Sequence, residues 1–266
     1  MKVDGTWPFS DGEYEALIRG IQKYFANYLR DLEVKLVRGP TDYVMAVEGV
    51  DEHIVLTVAL DTPFLRRLFD SGYLDCVLEH ELRHLDLVQP WKVCALTAPD
   101  VIYHEEGAAV HAEMGNGLNA ILQEMIPDVF VIARMSESGQ RKYFDFEWMK
   151  IETPWSQSLE IRRGSFPKAF LILVLAELEL IATKMSCSLP ARLASMKAIA
   201  APNADDEAFY DETVTLYDLI WEQAKREPPV LSLEAATSRL REILRTQKEP
   251  YVPRCEDAWG SLEEIP

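Results

Sequence analysis

Val77-Leu78-Glu79-His80-Glu81-Leu82-Arg83-His84-Leu85 decides how this chain is read. The stretch sets two imidazoles four residues apart with a carboxylate beside the first, the H-E-x-x-H spacing. On a helix, positions i and i+4 share a face, so His80 and His84 can grip one metal ion while Glu81 reaches a water bound to it. Zinc suits this set. Neutral imidazole is a good ligand for it, and a catalytic zinc needs three protein ligands and one open position for water. The chemistry implied is hydrolysis.

The flanking residues supply a frame for the pattern. Projected at about 100° per residue, Leu74, Leu78, Leu82 and Leu85 fall on one side of the helix and Asp75, Glu79, Arg83 and Asp86 on the other. His80 and His84 lie at the border of the apolar stripe, with Glu81 just inside it. The spacing therefore predicts one buried face, one wet face, and ligands aimed into a cleft between them. The alternative is two histidines at helical spacing by chance, one packed and one exposed. Against it, four of the five histidines, His80, His84, His104 and His111, fall inside one short window, and only His53 lies outside.

Composition bounds the class. The 266 residues are 48% hydrophobic, enough for one large domain or two small ones with a packed core. The net charge of −17 argues against a phosphate-binding surface, which is built from clustered Lys and Arg. Basic residues gather only in pairs such as Arg66-Arg67 and Arg162-Arg163. The opening Met1-Lys2-Val3-Asp4-Gly5 has no apolar run of the signal-peptide kind, and the apolar stretch from Ala169 to Ala182 is broken by Glu177 and Glu179. A soluble, cytoplasmic protein with no nucleic-acid or membrane partner is expected. Cys76, Cys94, Cys187 and Cys255 are scattered without a C-x-x-C pair, which predicts reduced, packed thiols. Cys76 precedes His80 by one turn on the same face, so it either packs in the core or neighbours the ligands.

Along the chain, the apolar spacing predicts a first helix from Glu13 to Leu32, capped by Asp11. Three extended segments follow, Val34 to Val37, Tyr43 to Val47 and Ile54 to Leu60. They are separated by turn formers and read as an antiparallel meander. Thr62 followed by Pro63 predicts a short helix to Phe69. Beyond the metal helix, Asp100 caps a predicted helix over Val101 to Met114, which stops at Gly115-Asn116-Gly117. Val129 to Glu160 reads as either strand or helix. Helices are expected at Ser165 to Met185, Ala191 to Ala198, Asp205 to Arg226 and Ser232 to Thr246. Within the first of these, Glu177 and Glu179 read as one partly exposed and one paired carboxylate. The fold class expected is α+β, with a core over residues 1–115, a helical subdomain over 116–247 packed on it, and an irregular tail over 248–266.

A third ligand must come from His104, Glu105, Glu106, His111 or Glu113, all on the helix after the motif. The chain between His84 and Glu106 is long enough to leave one helix, turn and return beside it. Gly107, Ala108 and Ala109 would let that helix approach closely. His111, five residues beyond Glu106, sits about 140° around an ideal helix from it and is poorly placed for the same ion. It reads as a donor to the transition state, a partner of a ligand, or a packed histidine.

His80-Glu81-Leu82-Arg83-His84 followed by Glu106-Gly107-Ala108-Ala109-Val110-His111 resembles the gluzincin metallopeptidases. In that family the helix after the motif often carries an E-G-x-A-x-Y-like signature whose glutamate is the third zinc ligand. The order of helix, three short strands, motif helix and glutamate helix is also similar to the minigluzincin catalytic core. The resemblance implies a zincin-like fold over roughly residues 12–114, with His80, His84 and Glu106 as zinc ligands and Glu81 as general base. His111 stands where many relatives carry tyrosine, and the helical half beyond residue 116 matches nothing in the family.

The function expected is a zinc-dependent metallopeptidase acting on a peptide or protein substrate. Glu81 would take a proton from the attacking water and pass it to the leaving amine, and Tyr103 or His111 would donate to the developing oxyanion. The third strand would offer its edge to an extended peptide. Two alternatives come from other classes. A di-iron bundle could use Glu81-x-x-His84, but a second E-x-x-H is absent from the sequence. A catalytically silent zincin-like domain could serve as a binding or regulatory module.

Overall fold

The computed structural model describes residues 1–39, 43–50, 53–85, 126–152, 168–188, 191–201 and 203–227. Among them the protein is mixed α and β, with one small sheet and mostly helical content. Residues 1–85 and 135–146 form one compact unit. Residues 126–134 and those described from 147 onward form a second.

The first unit opens with a strand that the polar lead-in concealed, β1 (Lys2–Asp4). Helix α1 (Asp11–Tyr24) is capped by Ser10, not by the expected Asp11. The Ser10 hydroxyl accepts the Glu13 N–H while the Glu13 carboxylate accepts the Ser10 N–H, a reciprocal pair that satisfies two otherwise orphaned donors. The helix ends eight residues before the expected Leu32. Its apolar stripe continues through Phe25 and Tyr28, but those residues lie at a single 3₁₀ turn, Ala26–Tyr28, where the chain bends toward β2.

Strands β2 (Leu32–Val37), β3 (Met45–Val50) and β4 (His53–Ala59) complete a four-stranded sheet in the order β1-β2-β4-β3. The expected three-stranded antiparallel meander is therefore corrected. β1 and β2 pair in parallel, β2 and β4 pair in parallel with Val34 opposite Leu56, and only β3 runs antiparallel, against β4. Short connections decide that neighbours in sequence are close, but they do not decide which strand inserts between the others. Here β4 enters between β2 and β3, so both of its edges are occupied and it cannot receive a peptide strand. Along β4, Leu56 and Val58 are fully buried on one face, and Ala59 is buried on the other.

Helix α2 (Leu65–Asp70) begins two residues later than Thr62-Pro63 suggested. Thr62 instead closes a turn, its hydroxyl accepting the Phe64 N–H at 3.4 Å and its carbonyl the Leu65 N–H at 3.3 Å. Helix α3 (Leu74–His84) carries the motif. It packs on α1 and α2 and touches β3.

The stretch that read as strand or helix is helical where described, as α4 (Ile126–Arg134) and α5 (Glu137–Glu152). In the second unit, α6 (Lys168–Lys184), α7 (Ala191–Ala200) and α8 (Ala204–Ala224) follow the expected pattern closely. α8 packs on α4 and α6, and α7 on α6. Asn203 caps α8, its side-chain oxygen accepting from the Asp205 and Asp206 N–H groups. Glu179 is the paired carboxylate on α6, accepting from the Tyr210 hydroxyl at 2.6 Å and from Lys197 at 3.3 Å. Glu177 is buried instead of partly exposed, a correction that one-dimensional spacing could not supply. Among the described residues, no helix is long and apolar enough to cross a membrane.

Candidate metal centre

Helix α3 is held more deeply than an amphipathic surface helix. Cys76, Val77, Leu78, Glu79, His80 and Glu81 are six consecutive buried residues, covering every direction around the axis. Leu78 has no exposed surface, and a Cβ on Gly20 of α1 would stand 2.6 Å from its Cδ1, so the glycine opens the seat that Leu78 fills. Cys76 is a core thiol, its Sγ donating to the Tyr73 carbonyl at 3.0 Å. The expected division into one apolar and one wet face fails at Glu79. Only 9% exposed, it points into protein and not toward solvent.

Four residues apart on this helix, His80 and His84 bring their Nε2 atoms to 3.0 Å, with the rings edge to face at a centroid distance of 4.7 Å. At that separation one ring N–H can donate to the other nitrogen. The same convergence suits a shared ion, because two nitrogens about 2.05 Å from a tetrahedral zinc stand roughly 3.3 Å apart. A few tenths of an ångström of rotation closes the difference. His80 and His84 are two members of a group of side chains that could hold a metal ion. Glu81, between them in sequence, is 7% exposed, and His80 4%.

Two contacts tie this part of α3 to α5 and the residue before it. The Tyr143 ring lies flat on His80, with centroids 4.3 Å apart and 8° between planes, and its hydroxyl is 3.4 Å from the His80 Nε2. Glu79 reaches the start of the same helix. Its Oε1 accepts the Ser136 N–H at 2.7 Å, and its Oε2 accepts the Ser136 hydroxyl at 3.0 Å. The Ser136 Oγ in turn accepts the Gly139 N–H at 3.1 Å. A carboxylate at a helix N-terminus is favoured by the dipole and by the unpaired N–H groups there, which offsets the cost of burying its charge. At the other end of this contact, Phe146 lies 5.6 Å from Tyr73, ring to ring. Burial, with Asp145 adding to it, pushes the Tyr73 phenol up.

Sequence reasoning brought His80, Glu81 and His84 together, and the structure places all three on α3. It did not find Tyr143 or the Glu79–Ser136 pair, which lie more than fifty residues apart across the motif. The signal was present as Gly139, Tyr143 and Phe146, spaced i, i+4 and i+7 on one helical face. The third-ligand candidates His104, Glu105, Glu106, His111 and Glu113, and the proposed donor Tyr103, lie outside the described residues.

Comparison of the chain with models of protein families, with curated proteins and with solved structures finds no match in any of the three.

Proposed function

We propose that this protein is a zinc-dependent metallopeptidase with a gluzincin-like centre on α3. The observation that carries the reading is the meeting of the His80 and His84 Nε2 atoms at 3.0 Å, with Glu81 buried beside them. His80 and His84 are the imidazole ligands, and Glu106 is the third ligand that the resemblance implies. Zinc, when bound in such a set, supplies a water ionised near pH 7 and polarises the scissile carbonyl (roughly 7 for a catalytic zinc water).

The chain's own residues then divide the work. Glu81 takes the proton of the attacking water and passes it to the leaving amine, acting first as base and then as acid. Tyr143, with its hydroxyl above His80 Nε2, donates a hydrogen bond to the oxygen on which charge develops, a role assigned from the sequence to Tyr103 or His111. Among the described residues, no strand pairs with the outer edge of β3. Because α3 touches β3, that edge is where an extended peptide would add to the sheet beside the ligands.

The test is metal content followed by activity. The purified protein is expected to bind one zinc, and His80→Ala and His84→Ala to lose it. The zinc-loaded parent is expected to cleave members of a broad peptide library. A parent that binds no zinc overturns the reading. Zinc bound without cleavage of any peptide replaces it with a zincin-like binding or regulatory module.

A further inference from the structure

We propose that Glu79 is a positioning residue for the metal centre: by gripping the start of α5 through Ser136, it holds the Tyr143 ring flat on His80 and so fixes the plane of that imidazole toward His84. This rests on His80 and His84 being metal ligands.

The geometry is a two-point contact in matching register. Glu79 and His80 are adjacent on α3, and Gly139 and Tyr143 are one turn apart on α5. Glu79 lies against Gly139, while His80 lies against Tyr143. Both Ser136 donors are spent on the Glu79 carboxylate, at 2.7 and 3.0 Å. No side chain fits at residue 139, since a Cβ there would stand 2.4 Å from Glu79 Oε2 and 3.0 Å from Ser136 Oγ. The absence of a side chain at Gly139 is thus what lets the carboxylate reach the helix end. A shift of α5 at this point carries Tyr143 with it, because two turns of helix move as a rigid piece.

What Tyr143 does to His80 follows from the stack. An imidazole packed against a parallel ring at 4.3 Å cannot swing about its χ2 without losing the contact. Groups that orient a ligating histidine, though they never touch the ion, tune its affinity. Here the orienting group is an aromatic face, and its own position is set by a carboxylate adjacent to the ligand in sequence. A plain helix cap would need no such coupling.

The experiment measures zinc affinity by competition with a chromogenic chelator, together with the melting temperature of the metal-free protein. Glu79→Ala, Tyr143→Ala and Gly139→Ala are each expected to weaken zinc binding about ten- to hundredfold. The last removes no hydrogen-bonding group and improves helix propensity, so it keeps the test decisive if Glu79→Ala fails to fold. Tyr143→Phe retains the ring and is expected to keep the parent's affinity. Combining Glu79→Ala with Tyr143→Ala should weaken binding no further than the worse single variant, since both break one link. Parent-like zinc affinity in Gly139→Ala, or full additivity in the double variant, overturns the proposal while leaving the metal centre standing. A parent that binds no zinc overturns both.

Discussion

At the residue scale, the proposed mechanism gives Glu81 and Tyr143 separable roles. Replacing Glu81 by Gln preserves size and removes the proposed base, so zinc should remain bound while peptide hydrolysis falls by at least about 10²- to 10⁴-fold. Retained hydrolysis in that variant would sink the mechanism. Tyr143→Phe removes the proposed donor to the developing oxyanion and should lower kcat by about 10²-fold with zinc content unchanged. Equal kcat would take Tyr143 out of the chemistry. In the second unit Glu177 is a buried carboxylate. Burial foremost, then Asp128 and Glu147, push its carboxyl well above the ordinary 4.5, against the opposing effect of Lys150. The Tyr217 phenol nearby is raised for the same reasons, by burial and by Glu177 and Asp128. A raised carboxyl binds its proton more tightly folded than unfolded. Its contribution to stability is therefore fully present below about pH 4.5, the ordinary value, and is lost as pH rises through the raised folded value. Glu177→Gln, which keeps the shape and cannot ionise, should raise the melting temperature at pH 8 and leave it unchanged at pH 4. Thermal unfolding of the two proteins across that range checks the sign.

Elements are held by a few contacts whose removal has a predictable size. Leu78 joins α3 to α1 over Gly20 with no exposed surface, so Leu78→Ala opens a cavity and should destabilise by about 2–5 kcal/mol. Because it lies on the motif helix, the same change should also weaken zinc binding. Chemical denaturation and zinc titration of one preparation measure both. Most of the described helices were legible in sequence, since apolar spacing at 3.6 residues follows from burying one face. Their ends were less so. Ser10, not Asp11, caps α1 because its partner is Glu13 at the third position of the helix, while the stripe that runs on to Tyr28 serves packing and not helix continuity. The α4–α5 region was ambiguous because α4 is apolar all round, with Val129, Phe130, Val131, Ile132 and Ala133 all buried, and a helix buried on every side has lost the period that identifies it.

For the whole molecule, ligand linkage offers the most direct measurement. If zinc binds the folded chain alone, a concentration one hundredfold above its dissociation constant should stabilise by about 2.7 kcal/mol, and a chelator should reverse the gain. A melting temperature indifferent to zinc and chelator would contradict a folded-state site. At this scale the sequence by itself determined that helices combine with a small sheet, that the described residues from 126 onward are helical, and that two imidazoles and one carboxylate share α3. Those features depend on residues a few positions apart, whose relation is set by the pitch of one helix. Only tertiary structure decided that β4 enters the sheet between β2 and β3, that residues 135–146 belong with the first unit, and that Glu79 turns inward to Ser136 while Tyr143 covers His80. These are contacts between distant segments. Helical periodicity assigns a charged residue such as Glu79 to solvent, and it takes the N–H groups of another helix end, brought close by folding, to make its burial favourable.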